Sequence, residues 1–213
     1  MKNDQVFTRG SERFFFAVLI ITLMGFLEGC NDDDPKKEDT PELITKATLT
    51  FAPSGGGSTV TVTATDPDGE GVQDITVDSP INLATSTTYV LTIELINDLA
   101  QPSDPGYNIT EEVEEEGDEH MFFFSWTNNV FADPAGNGNV DNRDDDVNYT
   151  GGLNSRDVNN RPLGLTTTWE SAASTASGSF RVLLKHQPDL KSDTSDSDTG
   201  ETDLDITFTI NVQ

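Results

Sequence analysis

From Ile44 onward the chain alternates apolar and polar positions with period two. Long apolar stripes of period 3.6 are absent, so strands rather than helices are expected. "ITKATLTFAP" (44–53) predicts a first strand, "SGGGS" a turn, and "TVTVTATD" (59–66) a second strand rich in β-branched residues. "PDGEG" turns again, and "DITVDSPINL" (74–83) and "TTYVLTIELIND" (87–98) continue as strands. The second of these carries Tyr89, Leu91, Ile93 and Leu95 on one face. After the Pro- and Gly-containing loop "QPSDPGYN", the pattern predicts a hairpin: "ITEEVEE" up, "EGD" round, "EHMFFFSWT" down. From Asn129 to Pro162 the alternation gives way to Asn, Asp and Gly, too long a run for an ordinary hairpin connection. "LGLTTTWES", "GSFRVLLKHQ" and "LDITFTINV" close the chain as strands, the last two joined by "PDLKSDTSDSDTGETD". About seven to ten short strands between turn signals predict an all-β fold, an immunoglobulin-like antiparallel β-sandwich.

The N-terminus follows a different rule. Lys2, Arg9 and Arg13 precede the apolar run "FFFAVLIITLMGFL", Phe14 to Leu27. That run is shorter than the roughly 20 residues a membrane-spanning helix needs and fits a secretory signal. "LEGC" then places Leu27 and Gly29 before Cys30, the one cysteine of the chain, in a pattern that resembles a lipobox. The expected organisation is a lipoprotein signal peptide over 1–29, an acylated Cys30 with a flexible acidic tether over 30–42, and one β-sandwich domain over 43–213. About 170 residues suffice for one domain with its own core. Such a mature chain keeps no cysteine for disulfides, so packing must hold it in an oxidising compartment. The acidic triplet Asp32, Asp33 and Asp34 resembles the export signal of surface lipoproteins of Bacteroidota. It implies an outer-membrane lipoprotein, facing outward, fixed to the membrane by its lipid.

Charge narrows the partners. Twelve Lys and Arg stand against 38 Asp and Glu, a formal net charge of −26. A surface this acidic repels phosphodiester backbones, which removes nucleic acid as a partner and leaves cations. The motifs of nucleophile elbows, phosphate loops and H-E-x-x-H metalloproteases do not occur, and a non-enzymatic protein is expected.

Both histidines sit at a strand end. His120 shares parity with Phe122, Phe124 and Trp126, and His186 with Phe180, Val182 and Leu184, so each imidazole extends an apolar row. Glu116, Asp118 and Glu119 neighbour one, and Glu201 and Asp203 are expected across the final hairpin from the other. Two imidazoles with carboxylates make a zinc-type donor set, and two imidazoles alone could clamp a haem iron. A plain structural role, each histidine capping an apolar face, is the competing expectation. The loop "NGNVDNRDDDVN" gathers Asp141, Asp144, Asp145 and Asp146, an oxygen-rich set of the kind Ca²⁺ takes, but without EF-hand spacing.

"EEGDEHMFFF", "RPLGLTTTW", "FRVLLKHQP" and "GETDLDITFTINVQ" together resemble a group of small flavobacterial lipoproteins labelled "type 1 periplasmic binding fold superfamily", over roughly Leu43 to Gln213. The label implies a two-lobed α/β structure, whereas the periodicity of this chain implies a β-sandwich. The expected function is an envelope binding protein, an accessory for nutrient or metal uptake beside an outer-membrane TonB-type transporter. The alternative is an adhesion or envelope-structural module without a small ligand.

Overall fold

The computed structural model describes residues 42–69, 74–141 and 147–213. The signal segment, Cys30, the tether up to residue 41 and the aspartates at 144–146 lie outside the described residues. Ten strands form among the described residues: β1 (Lys46–Pro53), β2 (Val60–Thr65), β3 (Thr76–Val77), β4 (Ile81–Leu83), β5 (Thr88–Ile96), β6 (His120–Trp126), β7 (Phe131–Asp133), β8 (Thr166–Ser171), β9 (Ala176–His186) and β10 (Glu201–Val212). One helix, α1 (Ile109–Glu115), precedes β6. The strands make a six-stranded sheet, ordered β3-β2-β1-β5-β8-β7, and a four-stranded sheet, ordered β4-β10-β9-β6. The all-β expectation holds, and the two-lobed α/β architecture does not form.

The two sheets meet through the rows that alternation predicts. On β1, Ala47, Leu49 and Phe51 are buried, and on β5 Tyr89, Leu91, Ile93 and Leu95 are buried. Phe180, Val182 and Leu184 of β9 answer from the opposite sheet. Ring contacts tie the layers: Phe51 to Phe180 at 6.0 Å, Phe124 to Trp169 at 5.5 Å, and Trp169 to Phe180 at 5.2 Å and 90°. These edge-to-face pairs contribute about 0.5–1.5 kcal/mol each beyond area burial.

Three local expectations are corrected. "ITEEVEE" is helix, not strand. Its buried residues are Ile109 and Val113, spaced i to i+4 on one helical face, and glutamate is a good helix former. Glu111 and Glu112 in the first turn also suit the positive end of the helix dipole. "DITVDSPINL" divides before Pro80, so that β3 joins β2 in one sheet while β4 joins β10 in the other. The β4–β10 pair is parallel, so the sandwich is not purely antiparallel. The irregular stretch after Asn129 also holds a short strand, β7, on the edge of the larger sheet.

Phe180 touches Phe51, Phe124, Phe131 and Trp169 at the centre of the core. Phe180→Ala is expected to cost about 3–5 kcal/mol, read as a lowered denaturant midpoint with an unchanged m-value.

Candidate metal centre

The β6–β9 register sets His120 directly opposite His186. Directly opposed residues project to the same face of a sheet, so the two rings stack, with centroids 4.5 Å apart and planes at 3°. Both continue the inward row of Phe122 and Leu184, and both are buried, His120 fully and His186 to 1% exposure. The pairing runs one step further, because Gln187 N–H donates to the Glu119 carbonyl at 2.7 Å. The expectation that the histidines meet is therefore correct.

Carboxylates close around the rings. His120 Nε2 lies 3.6 Å from Glu42 Oε1 and 3.6 Å from Asp203 Oδ2, and His186 Nε2 lies 3.7 Å from Glu119 Oε2. Glu116 joins from the turn that follows α1. Donor atoms of Glu42, His120 and His186 fall within 4.8 Å of one another, and so do those of Glu116, Glu119 and His186. The N–O separations exceed hydrogen-bond length. They approach the edge of a tetrahedron around an ion with bonds of about 2.0–2.1 Å, which is roughly 3.3–3.4 Å.

Second contacts orient these donors. His120 Nδ1 is 3.2 Å from the Glu116 carbonyl, which only accepts, so Nδ1 is the donor, and in the neutral ring Nε2 carries the lone pair. Metal-binding histidines are held in this way. The Glu42 N–H donates to Asp203 Oδ1 at 3.3 Å, and the other oxygen, Oδ2, is buried and makes no hydrogen bond. A lone-pair nitrogen between two ionised carboxylate oxygens is repulsive, and a proton or a cation among them relieves it.

Asp203 arrives through an irregularity. β10 pairs Glu201 with His186 and Thr202 with Lys185, but then Leu204 with Leu184, leaving Asp203 as the extra residue of a bulge. Bulges re-aim side chains near sites. Here the bulge buries Asp203 completely while Glu201 stays exposed. Of the predicted donors, His120, His186, Glu119 and Asp203 therefore converge and Glu201 does not, because its side chain turns to solvent at the strand end. In the aspartate loop, Asp141 Oδ1 accepts from Ser197 Oγ at 2.9 Å, and Asp144, Asp145 and Asp146 lie outside the described residues.

Glu42 and the brace behind the turn have no counterpart among the residues expected from the sequence. Lys191 Nζ donates to the carbonyls of Gly117 at 2.7 Å and His120 at 2.6 Å, and pairs with Asp157 at 3.0 Å, with both side chains fully buried. Gly200 is needed for the return into β10. Its φ is +76°, and a Cβ there would lie 2.0 Å from the His186 carbonyl oxygen. Glu116 was visible as part of the acidic run. Nothing local marks Glu42, Asp157 or Lys191.

Glu42 and Asp203 resist ionisation. Burial pushes the Glu42 carboxyl up to about 8, helped by the charges of Glu112 and Asp203, a hydrogen bond with Glu112 and the charge of Glu116. Burial pushes Asp203 up to about 7, opposed by the Glu42 N–H and Lys185 and reinforced by Glu201. No protein-family model, curated protein or solved structure matches this chain.

Both carboxyls hold their protons more tightly folded than unfolded, where carboxyls titrate near pH 4. Their contribution is whole below that pH and is lost as pH rises through about 7 for Asp203 and about 8 for Glu42. Metal-free protein is thus expected to lose stability between about pH 4 and 8. Thermal melts with chelator should show this slope, and Glu42→Gln with Asp203→Asn should flatten it. An equal slope in the double variant would assign it to other groups.

Proposed function

We propose that this protein is a lipid-anchored envelope protein that binds a divalent transition cation through His120, Glu42 and Asp203. The observation that carries the reading is the placement of His120 Nε2 at 3.6 Å from two buried carboxylates while Nδ1 is tied to a carbonyl. Nitrogen and oxygen donors together suit borderline ions such as Zn²⁺ better than Ca²⁺, which takes six to eight oxygens. Haem is a poor fit. Its iron would need the two imidazoles on opposite faces of the macrocycle, and here they stack on each other. An acidic surface draws cations toward such a site. The role we assign is an accessory for metal uptake at the outer membrane, beside a TonB-type transporter, with Cys30 as the lipid attachment.

A second reading has its own support. The imidazoles are at most 1% exposed, so an ion there leaves only when the cover opens. That burial favours an envelope-structural module in which the cation is an internal brace. The two readings differ in exchange: an uptake accessory releases Zn²⁺ within the time of a transport cycle, and a brace retains it over hours.

Zn²⁺ at a hundred times its Kd should stabilise the folded chain by about 2.7 kcal/mol. For a domain of this size that is a rise of roughly 5–10 °C in Tm. His120→Ala should clearly reduce the rise, and an unchanged rise in that variant would remove the site. In cells, Cys30→Ser is expected to move the protein from the membrane pellet to the soluble fraction, and retention in the pellet would reject the lipid anchor.

A further inference from the structure

The geometry points to a pair of divalent cations in this cluster, the second seated on His186, Glu119 and Glu116. The inference rests on the cation reading just given and extends it. An imidazole nitrogen offers its lone pair in the plane of its ring, so a bound ion lies in or near that plane. The planes of His120 and His186 are within 3° of parallel at a centroid separation of 4.5 Å. Donor atoms of both rings and of Glu42 fall within 4.8 Å of one another. An ion in the plane of one stacked ring nevertheless lies out of the plane of the other, so in-plane binding at both rings calls for two ions.

The donors divide in the same way. His120 Nε2 has Glu42 and Asp203, while His186 Nε2 has Glu119 Oε2 at 3.7 Å, with Glu116 completing a set within 4.8 Å. His186 Nε2 is buried and makes no hydrogen bond, so a desolvated polar atom faces these carboxylates, an arrangement that a shared cation would satisfy. Two ions held by stacked rings would lie roughly as far apart as the 3.5–4 Å typical of paired metal sites.

The test is stoichiometry. Full-length protein, stripped with chelator and dialysed against ZnCl₂, is assayed for zinc per chain, with strand content checked by circular dichroism. Two ions are expected in the wild type, one in Glu119→Gln and one in Glu42→Gln. One ion in the wild type would overturn the pair and leave the His120 site standing, whereas none would overturn both. Two ions persisting in Glu119→Gln would reject the second donor set. Loading with MnCl₂ gives an independent check: adjacent ions broaden the electron paramagnetic resonance spectrum by coupling, and the sharp six-line signal of isolated Mn²⁺ would overturn the pair.

Discussion

The register between β6 and β9 is the constraint on which the rest of this molecule depends. Side chains alternate with period two, so a slip of one residue would send Phe122, Phe124 and Trp126 to the wrong face. The same slip would separate the two imidazoles. The core and the polar cluster are therefore specified by one pairing. Aromatic packing of Phe124 and Phe180 against Trp169 makes that register costly to change, and the histidines inherit the precision of the core. The bulge at Asp203 adds the one donor that strict pairing would have placed elsewhere.

The cluster sits badly with ordinary core economy. Buried carboxylates are costly unless paired, and here Glu42 and Asp203 crowd together with further carboxylates beside them. By contrast, the neighbouring Lys191–Asp157 pair is buried in the usual manner, with opposite charges in contact and carbonyls taking the remaining protons. Two buried polar groups within one small region thus follow different logic. The Lys191–Asp157 pair is satisfied by the chain itself, and the histidine–carboxylate cluster is the one for which we propose a cation. Local rules are broken in this way mainly at functional sites.

Much of this was legible in the sequence. Alternation at Tyr89, Leu91, Ile93 and Leu95 and at Phe180, Val182 and Leu184 gave strands and inward faces directly. His120 and His186 could be placed at strand ends by parity alone. The helix was misread because Ile109, Glu111 and Val113 satisfy a two-residue period as well as Ile109 and Val113 satisfy a four-residue one. Glu201 was chosen beside Asp203 because a bulge leaves no mark in the residues that form it. Glu42 was placed in the tether because one acidic residue among many shows no sign of being buried. Its partner is Asp203, and a pairing across most of the chain has no local signature.

Glu42 has a mechanical consequence. It is the residue from which the chain runs back toward Cys30, and it is tied both to Asp203 on the last strand and to the imidazole of His120. If the chain is held at Cys30 as we propose, tension arriving at Glu42 would reach the histidine–carboxylate cluster before it reached β1. Pulling would draw one proposed donor away from the others, so load and ion occupancy would oppose each other.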